Sequence, residues 1–100
     1  MKVYEKLIRP ILFKFDTEKV HNFSIKVLKQ FQNQKIILPP TTDERLKIKC
    51  FNRTFSSPIG IAAGFDKNGE VYNSLGLLGF SFVEVGTVVH DPQTGNTKPR

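Results

Sequence analysis

Residues 57–69 read S-P-I-G-I-A-A-G-F-D-K-N-G, and the fold turns on how this stretch is interpreted. A short apolar run with small residues passes straight into the charged pair Asp66 and Lys67 and then a glycine. That is the pattern of a buried strand delivering both charges at its carboxyl end. Ligands of parallel α/β folds gather at such strand ends, and Ala62, Ala63 and Gly64 have too little side chain to hold a flat molecule away from the backbone. Residues 80–89, F-S-F-V-E-V-G-T-V-V, repeat the layout with a β-branched and aromatic run leading into Gly86 and Thr87. Between the two runs Val71, Leu75 and Leu78 fall at i, i+4 and i+7, one face of a helix predicted over 70–78, with Gly79 placed to end it. Parallel crossovers are right-handed almost without exception, so the two strands are expected side by side, with Asp66, Lys67 and Thr87 on one edge.

The strings I-G-I-A-A-G-F-D-K-N-G-E, L-G-F-S-F-V-E-V-G-T-V and P-Q-T-G-N-T-K-P-R together resemble the first third of a class 2, membrane-associated dihydroorotate dehydrogenase. The resemblance runs over nearly all of 57–100 with its spacings intact. It implies a (β/α)8 barrel of which only the first two strands fall in this chain, since such a barrel needs roughly 250 residues. It also implies an N-terminal helical hairpin and a short β-hairpin ahead of the barrel. The activity implied is oxidation of dihydroorotate to orotate on FMN in pyrimidine synthesis, with a membrane quinone as electron acceptor. The chemistry is abstraction of the C5 proton and hydride transfer from C6 to the flavin. The base is a serine expected beyond Arg100, so no catalytic base is assigned within the chain.

The net charge of +6 is unevenly distributed: residues 1–50 hold eleven Lys and Arg against five Asp and Glu, and residues 51–100 hold four against four. The basic half is the helical half, which fits an anionic membrane surface, a nucleic acid or an acidic partner. Residues 3–15 place Val3, Tyr4, Leu7, Ile8, Ile11, Leu12 and Phe15 on one broad face, interrupted by Pro10, which is expected to kink the segment or divide it in two. Asp16 is the expected N-cap of a second helix reaching about Gln32, with Val20, Phe23, Val27, Leu28 and Phe31 on one side and Lys19, Lys26 and Lys29 flanking them. These helices either pack on the rest of the protein or lie at a lipid surface, and the resemblance favours the surface. No apolar run approaches the roughly 20 residues of a spanning helix.

Pro39 to Thr42 read as the connector between residues 1–38, an amphipathic membrane and quinone-access segment, and residues 39–100, the start of an FMN-binding barrel. Leu46, Ile48 and Cys50 then alternate with lysines as a strand, Asn52 and Arg53 are the expected turn, and Thr54 and Phe55 the return strand. This hairpin is expected to plug the bottom of the barrel. Cys50, the one cysteine, is expected to be a small buried hydrophobe, and a single thiol offers neither a disulfide nor a cysteine metal cluster. No metal-ligand spacing and no Walker or Rossmann glycine pattern occurs.

Lys67 is the leading site residue, because an ammonium at a buried strand end can neutralise a carboxylate or the electron-rich edge of a reduced flavin. The resemblance assigns it contacts to both FMN and the orotate carboxylate. It assigns Ala63, Gly64, Phe65 and Asp66 main-chain contacts to FMN and makes Thr87 a further contact. From the residues alone, Asp66 reads equally as a cap for Asn68 and Gly69, and Thr87 as a structural strand end. His21, at the border of the apolar stripe, reads as a half-buried structural histidine, whereas the resemblance places it in a quinone tunnel. His90 and Asp91 depart from the family's T-P-R or T-P-K. The partners implied are dihydroorotate and orotate, a membrane quinone and an anionic membrane surface, with no nucleic acid. The location implied is the cytoplasmic side of a bacterial cell membrane, peripherally bound, or alternatively the mitochondrial inner membrane. The competing readings are a soluble class 1 enzyme of the same fold and a basic membrane- or nucleic-acid-binding module, which leaves the strand-end motif unexplained.

Overall fold

A computed structural model describes residues 2–33 and 43–100. The chain begins with one wide π-helical turn, Tyr4–Ile8, that runs into a short helix α1 (Arg9–Leu12). Pro10 lies in the first turn of α1, where its missing N–H is not needed, and the wide turn before it relieves the clash of its ring with the preceding carbonyls. The segment is not divided at Pro10: the backbone stays helical through Ile8 and Arg9, and only the hydrogen-bond pattern changes there. Asp16 caps the next helix, α2 (Thr17–Asn33), its carboxylate accepting from the Lys19 N–H at 3.1 Å.

Of the apolar stripe read on α2, only Val20 and Leu28 are half-buried, and the side turned inward is more polar. His21, Ser24, Ile25, Leu28 and Gln32 are half-buried, whereas Phe23, Val27 and Phe31 are exposed. Polar contacts set this orientation: the Ser74 hydroxyl donates to the Leu28 carbonyl at 2.7 Å, and Lys29 pairs with Glu70 at 2.6 Å. Both bonds tie α2 to the helix α3 (Tyr72–Leu77) and the turn before it. Lys29 thus leaves the expected basic flank, and Lys19 and Lys26 remain exposed on it.

The proposed connector at Pro39–Thr42 lies outside the described residues. Past it, a 3-10 turn (Glu44–Leu46) is capped by Asp43, whose carboxylate also grips Arg45 through three hydrogen bonds. Strands β1 (Ile48–Cys50) and β2 (Arg53–Phe55) pair antiparallel, Ile48 opposite Phe55. The turn between them is Phe51–Asn52, one residue earlier than expected, with φ of 51° and 58°. A two-residue hairpin turn needs both central residues left-handed, and only this placement keeps Ile48 and Phe55 in register. Cys50 is exposed, against the expectation of burial, because nothing among the described residues packs over this face of a strand three residues long.

The strand, helix, strand unit is present. Ile61 bridges Val83 in parallel, and the ladder is carried on both sides by Ser81 N–H to Ile59 O (2.9 Å), Ile61 N–H to Phe82 O (3.0 Å) and Glu84 N–H to Ile61 O (2.8 Å). The helix α3 between them is shorter than expected, because Val71 takes the N-cap position and Leu78 the C-cap. Val71 and Leu75 are the most buried apolar side chains, as the spacing required, while Leu78 is largely exposed. Gly79, at φ of 100°, ends the helix in the left-handed conformation open to glycine. Gly60 has its own reason: the Phe82 ring lies where a Cβ would stand, and that ring meets Phe55 edge-on at 5.8 Å, joining the hairpin to the parallel pair.

Candidate functional site

At the carboxyl ends of the parallel pair the two strands are tied once more. The Gly64 N–H donates to the Gly86 carbonyl at 2.8 Å, and the Gly86 N–H to the Asp66 carbonyl at 3.3 Å. Both glycines have left-handed φ, 108° and 130°; a Cβ on Gly64 would meet nothing within 4 Å, so the backbone there faces open space. Ala62, Ala63, Lys67 and Thr87 are exposed at the same edge. The small residues thus leave the main chain open at Gly64.

Asp66 has a different part. It is 1% exposed, and its two carboxylate oxygens accept from the Glu70 N–H at 2.8 Å and the Val71 N–H at 2.9 Å. The cap reading is the one the geometry carries, with Glu70 and Val71 as donors in place of Asn68 and Gly69. Its carboxylate is therefore spent on the turn that leads into α3, and its carbonyl on Gly86. What Asp66 does for the site is hold the turn from which Lys67 projects.

Lys67 lines two clefts. One, of about 650 Å³, has α2 for one wall, through Glu18, His21 and Ile25, and the strand end Gly64 to Lys67 for the other, with Gly95, Asn96 and Arg100 completing it. The other, of about 470 Å³, lies on the side of the second strand and is lined by Val85, Thr87 and His90 among others. His21 reaches the strand end directly, its ring edge-on to Phe65 at 5.2 Å and 81°. His21, Gly64, Phe65, Asp66 and Lys67, expected at the site for separate reasons, thus meet in one cleft, and Lys67 and Thr87 meet in the other. His90 and Asp91 stay almost fully exposed, with a 3.1 Å contact between ring and carboxylate. Further out, Leu12, Phe15, Val20 and Phe23 line an apolar groove of about 310 Å³ between the end of α1 and the start of α2.

Residue order gives Arg100 no site role and Glu18 only a place in the first turn of α2, where a negative charge favours the helix. The Arg100 guanidinium donates to the Thr94 and Asn96 carbonyls at 3.0 and 2.7 Å and to the Glu18 carboxylate at 3.1 Å. The hydrogen bond from Arg100 is the main reason the Glu18 carboxyl lies below its ordinary pKa; partial desolvation opposes it, and the charges of Arg100 and Lys98 assist. The available signal was Gly95 within a loop that also holds two prolines and an arginine. Gly95 has φ of 78°, and a Cβ there would stand 3.1 Å from the guanidinium.

A parallel strand, helix, strand unit with small residues and a lysine at its carboxyl edge is the kind of unit from which α/β barrels are built. The solved structures agree. The crystal structure of DHODH in complex with ferulenol from Eimeria tenella superposes with a TM-score of 0.72 at 38% identity, over 85% of this chain and 22% of that one. The ligand-free type from the same organism gives 0.72 at 37% identity, over 85% and 23%. The profile of the Dihydroorotate dehydrogenase family matches residues 45–100, and the chain belongs to that family. Its curated relatives include a dihydroorotate dehydrogenase (quinone) of Christiangramia forsetii, 44% identical over 98% of this chain and 31% of the relative. Another, from Neisseria meningitidis serogroup B, is 47% identical over 94% of this chain and 28% of the relative. The chain therefore spans about three-tenths of the length of the relatives it matches.

Proposed function

We propose that this chain is part of a flavin-dependent enzyme that oxidises dihydroorotate to orotate and passes the electrons to a quinone. The observation that carries the proposal is the position of Lys67 between two clefts, one shared with Thr87 and one with His21. FMN suits the residues present: the main chain at Gly64 faces open space beside the exposed Ala63, and Thr87 and Lys67 offer a hydroxyl and a positive charge at the same edge. When bound, FMN supplies the two-electron chemistry linking dihydroorotate to the quinone. Lys67 neutralises the substrate carboxylate and holds a positive charge where negative charge gathers, an effect that strengthens as the site excludes water. Asp66 contributes by fixing the turn that carries Lys67.

On the other side, His21 and Phe65 form the wall against which a quinone ring rests, and the apolar groove between α1 and α2 suits its hydrocarbon tail. The exposed Phe13, Phe15, Phe23 and Phe31, together with Lys19 and Lys26, suit an anionic membrane surface, the cytoplasmic face of a bacterial cell membrane in this reading. Among the described residues no helix is long and apolar enough to cross a membrane. The test is an anaerobic titration of the purified full-length protein. Dihydroorotate should bleach the flavin absorption band and a short-chain quinone should restore it. A colourless protein, or a flavin band that dihydroorotate leaves unchanged, overturns the proposal.

A further inference from the structure

Arg100 is the one guanidinium in the cleft beside His21 and Lys67, and its setting is unusually complete. The segment from Thr94 to Arg100 wraps around its own arginine: two carbonyls of the segment accept from it, and the bare backbone of Gly95 lies against its face. These contacts fix where the guanidinium sits relative to its loop, but they do not fix the loop relative to α2. Glu18 does that. Its carboxylate accepts from Arg100, 82 residues away in sequence, at 3.1 Å and faces Lys98 at 3.5 Å, and the side chain is only 29% exposed. Because Glu18 stands in the first turn of α2, one turn before His21, the same helix sets both the histidine and the guanidinium on the cleft wall.

We infer that Glu18 is a positioning residue for the electron-acceptor cleft: it holds Arg100 against α2, so that guanidinium and imidazole face the cleft at a fixed separation. The inference rests on the acceptor reading of that cleft given above. A carboxylate that also spends one donor of Arg100 leaves the guanidinium oriented, with less freedom to turn toward solvent or toward a competing anion.

The test uses the full-length flavoprotein, reduced with dihydroorotate and reoxidised by a short-chain ubiquinone analogue in stopped flow. Wild type is compared with Glu18→Gln, Arg100→Gln, the double variant and Lys98→Ala. Glu18→Gln should raise the half-saturating quinone concentration about fivefold, with a smaller change in the limiting rate. In the Arg100→Gln background the same change should add nothing, which a general loss of packing would not reproduce. Lys98→Ala, which removes only the longer 3.5 Å contact to Glu18, should raise the half-saturating quinone concentration less than Glu18→Gln does, and an equal rise would overturn the assignment to Arg100. If Glu18→Gln fails to accumulate, Glu18→Asp, which withdraws the carboxylate by one methylene, should show the same dependence on Arg100. Weakened quinone use by Arg100→Gln with no effect of Glu18→Gln, or with effects that add, overturns the positioning role alone. An Arg100→Gln enzyme with unaltered quinone dependence overturns the acceptor reading of the cleft and this inference with it.

Discussion

Replacing Asp66 with alanine should be among the most damaging single changes in this segment, although the residue touches no ligand through its side chain. The carboxylate accepts two main-chain N–H groups, at 2.8 and 2.9 Å, and one of them belongs to Val71, which is fully buried. A hydrogen bond to a charged acceptor contributes about 1.5–3 kcal/mol, and a buried donor left without a partner costs about 1–3 kcal/mol. The Glu70 amide, being nearer solvent, can recruit water, so most of the loss comes from Val71. The sum for Asp66→Ala is about 2–4 kcal/mol. Asp66→Asn keeps one acceptor and turns an amide donor toward the other N–H, so it should cost nearly as much. Urea unfolding of the flavin-loaded full-length protein, followed by circular dichroism and flavin fluorescence, measures both. A loss below about 1 kcal/mol for Asp66→Ala would refute the claim that this cap holds the turn.

Three further outcomes follow from particular contacts. Gly64→Ala should cost about 1–3 kcal/mol despite the open space around it, because φ of 108° strains any side chain there; flavin retention and thermal midpoint would both fall, and an unchanged midpoint would contradict it. Lys19→Gln with Lys26→Gln should weaken binding of the full-length protein to anionic vesicles by roughly 1 kcal/mol per charge, whereas Lys29→Gln, whose charge is engaged by Glu70, should change it less; equal losses in a salt-matched vesicle assay would refute the assignment. The Glu18 carboxyl is held below its ordinary value of 4.5 in the folded protein, so its clasp stabilises fully above that pH and is lost as pH falls through the lower folded value. The difference in thermal midpoint between wild type and Glu18→Gln should therefore close on acidification, and a difference that widened would be inconsistent with the pair.

What could be read from residue order is what short-range physics controls. Asp16 as a cap, Gly79 as a terminator and Val71 with Leu75 as core all follow from spacing within one or two turns of chain. The misplacements have long-range causes. The hairpin turn shifted by one residue because the pairing of Ile48 with Phe55 outweighs the turn preference of Asn52 and Arg53. The orientation of α2 is set by Ser74 and Glu70, more than forty residues away, so the residues of α2 alone could not choose between packing and exposure of its apolar stripe. Arg100 and Glu18 are separated by 82 positions, so neither residue's neighbours in sequence announce the other. Cys50 was misjudged because composition describes what a thiol usually does, while exposure depends on what covers the strand.

The central claim is that Lys67 serves both clefts, and Lys67→Met in the full-length enzyme tests it most directly, since it removes the charge while keeping the length of the side chain. Both half-reactions, flavin reduction by dihydroorotate and reoxidation by a short-chain quinone, would be followed separately in anaerobic stopped flow. With FMN still bound, reduction should slow by on the order of 2–4 kcal/mol in activation free energy, the loss expected for one preorganised electrostatic group, and reoxidation should slow measurably as well. Near-normal rates in both halves, with stoichiometric FMN, would contradict the account.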